Sequence, residues 1–297
     1  MKYLLTGASG FLGNYISKKL PGEVISLGRS GNNELICDLS NKVPDLVPVE
    51  MVIHSAGHAH RIPKNEEEEQ QFWKVNFDGT KNLTKGLEKL ETLPETFVFI
   101  STVAVYGLEQ GELINESTQE NPQSPYGKSK LEAELFLTDW AEKNKVNLVI
   151  LRLPLIAGGE NTPGNLGAMI KAIRKNYYFR VGEGKARKSM VLAEDIGTLI
   201  PNLVGKSGVF NLTDGKHPSL AELDTYLSGI YNKRVKQINY SLLQSLAKIG
   251  DFLPFFPLNS YRLEKLSNAL TFDDSKAKTI LGWDPNPVIG NLDLKSI

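Results

Sequence analysis

The sequence predicts a doubly wound parallel α/β sheet with a smaller carboxyl-terminal domain. Short apolar runs alternate with amphipathic segments, a glycine-rich turn follows the first apolar run, and polar residues stand at the ends of several runs. The alternation is typical of a parallel sheet with crossover helices, and such sheets bind ligands at the carboxyl ends of their strands. A chain of 297 residues, 41% of them hydrophobic, is long enough for this core and a second domain.

The predicted elements follow in chain order. Strands are expected at residues 2–6, 23–27, 51–54, 97–101 and 148–152. Helices are expected at residues 10–20, 72–90 and 126–143, and the acidic run 66–69 suits the solvated first turn of a helix. Beyond Leu155 glycine and proline become frequent, which predicts a domain boundary there. Residues 1–155 would form the first domain and 156–297 mainly the second, with some segments returning to the first.

Composition excludes several classes of protein. Lysine and arginine total 34, as do aspartate and glutamate, and no basic run occurs, so nucleic acid is not an expected partner. Cys37 is the single cysteine, which excludes an internal disulfide and suits a reducing compartment. The apolar run at the amino terminus is too short for a signal peptide. No uninterrupted apolar run reaches the ~18 residues expected of a membrane-spanning helix. We expect a soluble, cytoplasmic protein with no membrane partner.

The turn after the first strand resembles a phosphate cradle. Glycines there allow a tight turn and a close backbone approach, and the following helix presents its first N–H groups to a pyrophosphate. The position of the turn, directly after a strand at the amino terminus, favours dinucleotide binding over an ordinary glycine-rich turn. The residues expected to contact the dinucleotide here are Gly7, Ser9, Gly10, Phe11, Leu12 and Gly13.

The end of the second strand bears on the choice of cofactor. About 20 residues beyond the glycines, an NAD site places an acid on the ribose, whereas an NADP site offers an arginine to the 2′-phosphate. This chain has Gly28, Arg29 and Ser30 at that point. The missing acid and the guanidinium favour NADP over NAD. The alternative is that Arg29 is a solvated loop residue, in which case NAD remains possible. Asp38 in the next loop either accepts from the adenine amine or caps a turn.

Tyr126 and Lys130 form the predicted acid/base pair. They lie four residues apart in a segment with strong helix formers, so both side chains project from one helical face. A free tyrosine hydroxyl titrates near pH ~10, and a nearby ammonium stabilises the phenolate. We therefore expect Lys130 to lower the pKa of Tyr126 until the hydroxyl can exchange a proton near neutral pH.

Together these motifs resemble the extended short-chain dehydrogenase/reductases with a Rossmann fold, in particular their nucleotide-sugar epimerase, dehydratase and reductase group. The resemblance covers nearly the whole chain. The matching motifs lie at residues 6–13, 38–39, 52–57, 75–80, 99–107, 126–130, 152–154, 272–278 and 281–283.

The resemblance implies roles for individual residues. Thr102 stands where the family has its catalytic serine or threonine, beside Tyr126, and Lys130 would also bind the nicotinamide ribose. The alternative to these catalytic roles is a structural one, in which Thr102 is an ordinary strand residue. The residues that the resemblance places against the cofactor are Asp38, Leu39, Ala56, Gly57 and Asn76.

One departure from the family pattern concerns the reaction. Sugar 4,6-dehydratases of the family carry an Asp-Glu pair after the catalytic threonine, because elimination of water needs a further acid and base. Val103 and Ala104 stand there in this chain. The resemblance then leaves hydride transfer at carbon 4 of a UDP sugar, with Arg29 favouring a 4-keto reductase over a 4-epimerase. A reductase of a small non-nucleotide ketone and a non-catalytic dinucleotide sensor are the remaining alternatives.

The second domain would hold the nucleotide sugar, in a pathway of surface-polysaccharide synthesis. The resemblance implies phosphate contacts from Asn165, Arg187 and Lys188, with Arg262 and His58 as further substrate candidates. A solvated turn is the alternative for Arg187 and Lys188. The family often forms homodimers through the helices predicted at 72–90 and 126–143.

A metal site is not expected. His54, His58 and His60 lie close in sequence, but no cysteine or carboxylate completes a tetrahedral set beside them. The resemblance instead places cofactor at this segment.

Overall fold

The computed structural model describes residues 1–59, 63–159, 161–251 and 260–294, except for some side chains in the helices near residues 246–250 and 261–266. The strands are β1 (Lys2–Thr6), β2 (Glu23–Gly28), β3 (Leu35–Ile36), β4 (Met51–His54), β5 (Thr96–Thr102), β6 (Gly111–Ile114), β7 (Asn147–Leu153), β8 (Leu155–Ala157), β9 (Phe179–Val181), β10 (Met190–Leu192), β11 (Gly208–Asn211), β12 (Lys236–Ile238) and β13 (Leu270–Phe272).

Helices connect these strands. They are α1 (Phe11–Lys19), α2 (Glu66–Phe72), α3 (Gly79–Leu87), α4 (Pro125–Asn144), α5 (Gly164–Arg174), α6 (Ala193–Leu199), α7 (Leu220–Ile230), α8 (Tyr240–Gly250), α9 (Ser260–Ser267), α10 (Ser275–Leu281) and α11 (Val288–Asn291). A π-helical segment at Trp73–Asp78 joins α2 to α3, and 3₁₀ segments lie at Val103–Tyr106 and Ile200–Leu203.

The main sheet has seven parallel strands in the order β11-β7-β5-β4-β1-β2-β3. β1 pairs with β2 on one side and with β4 on the other, so the strand order reverses there. In open α/β sheets, ligands bind beyond the carboxyl ends of the strands at this reversal. The doubly wound parallel sheet predicted from the sequence is therefore confirmed, and its topology points to the ends of β1 and β4.

Helices cover both faces of this sheet. On one face α1, α6 and α10 bury Ile16, Ile196 and Leu281 against the strands. On the other face α3 and α4 bury Leu83 and Leu137. Removal of these apolar side chains from water stabilises the sheet between the two layers by roughly 1.5–3 kcal/mol for each large residue.

The carboxyl-terminal half forms a second apolar cluster while also returning to the first. Leu166 and Ile170 of α5 pack with Leu223 and Leu227 of α7 and with Met190 of β10. β11, however, pairs with β7 in the main sheet, and α6 and α10 pack on that sheet. The domain boundary at residue 155 stays a prediction.

The helix predicted at 72–90 differs in the structure. Helical turns begin at Glu66, with Asn65 as the cap, pass through the π-helical segment Trp73–Asp78 and end at Leu87. The side chain of Asn65 accepts from the N–H of Glu68, and acids fill the first turn as expected. The π-helical segment, which often marks a functional site, brings Asn76 to the inside of the molecule.

Candidate active site

The first turn of α4 is held against the end of β5. Ser124 caps the helix by accepting from the N–H of Gly127 at 3.1 Å, and Pro125 occupies the first turn. A Cβ atom on Gly127 would lie only 2.7 Å from the carbonyl oxygen of Ala104. The glycine thus allows α4 to approach the 3₁₀ segment that follows Thr102.

Tyr126 and Thr102 meet at this contact. The side chain of Thr102 lies close enough to Tyr126 to influence its hydroxyl, and Thr102 accepts from the N–H of Ala104 at 3.2 Å. Burial raises the pKa of Tyr126 to about 12, although the neighbouring side chain of Thr102 lowers it in part. The phenol is therefore protonated at neutral pH and is able to act as a proton donor.

Lys130 lies one turn further along α4 and is buried. Its Nζ donates to the carbonyl oxygen of Ile100 at 2.6 Å and stands 3.7 Å from the ring centroid of Phe99. Burial lowers the pKa of Lys130 to about 7, against the opposing effect of Glu134. The expectation that Lys130 lowers the pKa of Tyr126 is wrong in this structure, because burial raises that pKa and the ammonium contacts Ile100 instead.

The glycine turn fits a dinucleotide phosphate. Gly7 has a φ of +72°, and a Cβ atom there would lie 2.7 Å from the backbone nitrogen of Ala56. A Cβ atom on Gly13 would lie 2.0 Å from the carbonyl oxygen of Gly7. No side chain within the described ranges caps α1 at Gly10, so its first N–H groups point outward without a side-chain acceptor. This cradle would receive an anion at the positive end of α1.

The turn places the other predicted cradle residues accordingly. Ser9 and Gly10 are exposed at the start of α1, whereas Leu12 is buried in the sheet core. Phe11 is half-buried beside Tyr15, with ring centroids 5.5 Å apart. Leu12 can thus contribute to the cradle only through its backbone.

The adenosine side of the predicted site is a polar loop after β2. Arg29 and Ser30 are exposed, and Asn33 donates to the carbonyl oxygen of Ser30 at 3.0 Å. The side chain of Asn33 covers Gly28 so closely that a Cβ atom there would lie 2.7 Å from its amide nitrogen. A larger residue at the position of the missing acid would therefore displace the Asn33 side chain.

Asp38 and Leu39 have structural partners. The Asp38 carboxylate accepts from the N–H and the hydroxyl of Ser40 at 3.1 and 2.7 Å, as expected for a turn cap. Burial would raise the pKa of Asp38, but these bonds and the nearby Arg29 lower it. Leu39 is buried in the core, and its carbonyl oxygen accepts from Asn82 at 2.8 Å.

The loop after β4 is fixed by Asn76. Its Oδ1 accepts from the N–H of His58 at 2.7 Å, and its Nδ2 donates to the carbonyl oxygen of His58 at 3.1 Å. Gly57, which precedes His58, is exposed. The N–H of Ala56 donates to the hydroxyl oxygen of Thr6 at 3.1 Å. These contacts hold the predicted cofactor loop beside the carboxyl end of β1.

His58 and Tyr126 both contact the ring of Phe72. The ring centroids of His58 and Phe72 are 4.7 Å apart, and those of Phe72 and Tyr126 are 6.2 Å apart. The elements that carry the predicted cofactor and catalytic residues therefore meet at one edge of the sheet. These residues are 7–13, 56–58, 76, 102, 126 and 130.

The substrate residues predicted in the second half lie on elements other than those that carry Tyr126 and the glycine turn. Asn165 is exposed in the first turn of α5. Arg187 donates to the carbonyl oxygens of Lys216 and His217 at 3.4 and 3.1 Å, and it lines a cavity of about 260 Å³. The N–H of Lys188 donates to the carbonyl oxygen of Pro218 at 3.1 Å.

Arg262 lies in α9, but its side chain is outside the described part of the structure, as is all of His60. Among the described residues, no three His, Cys, Asp or Glu side chains are arranged to hold a metal. No described helix is both long enough and apolar enough to cross a bilayer.

Sequence reasoning missed four buried polar residues near this site. His54 was weighed only as a metal ligand, and Thr80 only as part of a motif, whereas Ser129 and Glu134 had no assigned role. A polar residue at the end of a buried strand and the spacing of Glu134 four residues after Lys130 were the available signals.

Three comparisons with known proteins agree with this geometry. The model of the NAD dependent epimerase/dehydratase family matches residues 3–208. UDP-glucose 4-epimerase of Vibrio cholerae is 28% identical over an alignment 310 positions long. The alignment covers 95% of this chain and 90% of that protein.

Two solved structures share the fold. UDP-glucose 4-epimerase of Thermotoga maritima, solved with UDP-glucose, has a TM-score of 0.75 at 21% identity over 96% of this chain and 94% of that one. The protein RMD of Pseudomonas aeruginosa, solved with NADPH, has a TM-score of 0.70 at 19% identity over 97% of this chain and 96% of that one.

The fold and the cradle define an enzyme of the extended short-chain dehydrogenase/reductase class that uses a nicotinamide dinucleotide. The chain belongs to the NAD dependent epimerase/dehydratase family.

Proposed function

We propose that this enzyme transfers a hydride at carbon 4 of a UDP sugar. The observation that carries the proposal is the placement of Thr102 close to the protonated Tyr126, on elements that meet the glycine cradle at one edge of the sheet. The similarity to UDP-glucose 4-epimerase over 95% of the chain supports the substrate class. The nicotinamide supplies or accepts the hydride when it is bound.

The protein side of the reaction is proton transfer at the carbon 4 oxygen. Tyr126 donates its phenolic proton to that oxygen during reduction, and takes a proton back during oxidation. Thr102 donates a hydrogen bond to the same oxygen and orients it. Since the pKa of Tyr126 is raised to about 12, the donor form dominates at neutral pH. This is the protonation state that the reduction step requires.

The proposed cofactor preference is for NADPH. Gly28 stands where an NAD site would carry an acid, and the exposed Arg29 can pair with a 2′-phosphate. NADPH is the usual reductant for biosynthesis, so this preference also supports the 4-keto reductase in a surface-polysaccharide pathway. A UDP-sugar 4-epimerase is the second candidate, because the relative that aligns with 95% of this chain is one.

The nucleotide diphosphate is expected to meet Asn165, Arg187 and Lys188. Arg187 would have to exchange its carbonyl contacts at Lys216 and His217 for phosphate oxygens. A charge-assisted bond to phosphate is stronger than one to a neutral carbonyl, so this exchange is favourable when the substrate is present.

The test is a panel of UDP sugars and their 4-keto-6-deoxy derivatives, each with NADPH or NADH, followed by product NMR and by absorbance of the reduced nicotinamide. We expect consumption of NADPH with a 4-keto sugar and formation of a hydroxyl at carbon 4. Inversion without net consumption would support the epimerase. Because Val103 and Ala104 supply no acid or base, formation of a 4-keto-6-deoxy sugar from a fully hydroxylated one would contradict the proposal.

A further inference from the structure

A chain of buried hydrogen bonds starts at the end of β1. The hydroxyl of Thr80 donates to the carbonyl oxygen of Asn76 at 2.7 Å, so its single hydrogen is used. His54 Nε2 lies 3.0 Å from the same Thr80 oxygen and must therefore donate to it. His54 Nδ1 is then an acceptor for the hydroxyl of Thr6 at 2.6 Å, and Thr6 accepts from the N–H of Ala56.

The chain continues to the catalytic helix. Asn76 Nδ2 donates to the hydroxyl oxygen of Ser129 at 2.9 Å. The hydroxyl of Ser129 in turn donates to the carbonyl oxygen of Tyr126 at 2.9 Å. The other hydrogen of Asn76 Nδ2 goes to the carbonyl oxygen of His58, as described above. Asn76 therefore contacts both the cofactor loop and α4 with one amide group.

The whole chain is shielded from water. His54 and Asn76 are 1% exposed, and Thr6, Thr80 and Ser129 are 0% exposed. Hydrogen bonds are stronger in such surroundings, and a group that loses its partner there has no water to replace it. Each hydroxyl has one hydrogen and one assigned acceptor, so no member can turn without unpairing its neighbour.

We propose that Thr6, His54, Thr80, Asn76 and Ser129 form a positioning network that couples the cofactor cradle to Tyr126. One end is Thr6, which directly precedes Gly7 of the cradle, and Ala56 of the facing loop. The other end is the backbone of Tyr126, whose side chain lies close to Thr102. The inference rests on the proposed role of Tyr126. Its consequence is that binding of NADPH and placement of Tyr126 stabilise each other.

Isosteric variants test the coupling. Thr80→Val and Ser129→Ala each remove one hydroxyl from the chain at little change in volume. Loss of the two hydrogen bonds that one hydroxyl makes is expected to weaken NADPH binding about fivefold in each variant, although neither hydroxyl belongs to the cradle. The double variant is expected to lose much less than the product of the two effects, because either change already breaks the chain.

Two further variants separate positioning from stability. Thr84 lies one turn after Thr80, is 1% exposed, and donates only to the carbonyl oxygen of Lys81 at 2.9 Å. Thr84→Val is thus the matched control, with an expected loss of melting temperature but unchanged NADPH affinity. Thr80→Ser restores the hydroxyl and is expected to restore NADPH affinity. Thr80→Val is further expected to lower kcat with little change of KM for the sugar.

The outcomes are distinguishable from those of the proposed function. NADPH affinity is measured by fluorescence titration and needs no substrate. If no UDP sugar reacts while the two hydroxyl variants are non-additive in NADPH affinity, the network stands and the proposed function fails. The network is overturned if the enzyme turns over a UDP sugar but the losses of NADPH affinity in Thr80→Val and Ser129→Ala multiply in the double variant. It is also overturned if Thr84→Val weakens NADPH binding as much as Thr80→Val does.

Discussion

Tyr126 and Lys130 stand one turn apart on α4, yet burial moves their pKa values in opposite directions, to about 12 and to about 7. Burial disfavours the charged form of either group, which is the anion of tyrosine and the cation of lysine. Tyr126 is thereby kept as a proton donor. Lys130 is brought to a range in which nearby charges decide its protonation, and Glu134 is the neighbour that favours the ammonium.

The hydroxyl of Tyr126 is expected to be essential for turnover. Tyr126→Phe removes the proton donor and should lower kcat by about 10²-fold or more, while NADPH affinity changes little. Steady-state kinetics on the substrate found with the UDP-sugar panel measure the first quantity, and fluorescence titration measures the second.

Tyr106→Phe is the matched control for that variant. Tyr106 is also buried, but its hydroxyl donates to Asn211 at 2.9 Å. Its loss is expected to cost about 1 kcal/mol of unfolding free energy and to leave kcat within about twofold. Equal losses of kcat in both variants would mean that Tyr126 acts only through stability.

The Tyr126 and Lys130 spacing was readable from the sequence because it depends only on helix periodicity. The partner of Lys130 was not, since the carbonyl oxygen of Ile100 reaches it from a strand 30 residues away. Arg187 illustrates the same limit. Its basic character was visible, but its contacts with residues 216 and 217 depend on how the second half folds.

At the scale of secondary-structure elements, α4 is tied to β7 by buried charges. Glu134 follows Lys130 by four residues, and its carboxylate accepts from Arg152 Nε at 3.1 Å and from Nη2 at 2.6 Å. Arg152 also pairs with Glu120 at 2.6 Å. Glu134 and Arg152 are each 3% exposed. The helix that carries Tyr126 is thus fixed to the sheet by an ion pair in addition to apolar packing.

Glu134→Gln is expected to destabilise the fold strongly. It leaves the Arg152 cation in the interior without its main partner, and breaking a buried pair in this way costs about 3–5 kcal/mol. The control is Glu194→Gln, which breaks the exposed pair of Lys19 and Glu194 at 2.8 Å and should cost about 0–1 kcal/mol. Denaturant unfolding measures both, and a loss below about 1 kcal/mol for Glu134→Gln would refute the assigned role of the pair.

The helix predicted at 72–90 shows how far periodicity reaches at this scale. The apolar spacing correctly indicated helical turns there, but not the π-helical segment Trp73–Asp78. That segment depends on tertiary contacts of Asn76 with His58 and Ser129, which have no local signal in the sequence. The same contacts bury Asn76, which the resemblance placed against the cofactor.

At the scale of the whole molecule, the reversal of strand order at β1 brings the elements that carry the predicted site residues to one edge of the sheet. The amino-terminal half was predictable because β1, β4 and β5 are each followed by a motif and a helix. β11 was not, since a strand of four residues pairs with β7 from a position far along the chain. Its neighbour α6 packs on α1 for the same reason, so the two halves share one core.

The buried imidazole of His54 predicts how the stability of the whole protein responds to acid. Burial, with a smaller effect of Lys130, lowers the pKa of His54 from 6.5 to about 3. Between these values the unfolded chain binds one proton that the folded chain does not, so the unfolding free energy falls as the pH falls from about 6.5 towards 3. Protonation would also place a hydrogen on Nδ1 and break the bond from Thr6.

We expect His54→Asn to remove up to about one proton from the pH dependence of unfolding between pH 4 and 6.5, as measured by denaturant titrations at each pH. His217 is the control, because burial lowers its pKa as well but it is only half-buried, so His217→Asn should remove a smaller part. NMR of the wild-type imidazoles provides a second measurement that does not depend on a variant folding. The ring protons of His54 should keep the shifts of a neutral imidazole down to pH 4, and a midpoint near 6.5 would contradict the lowered pKa of His54.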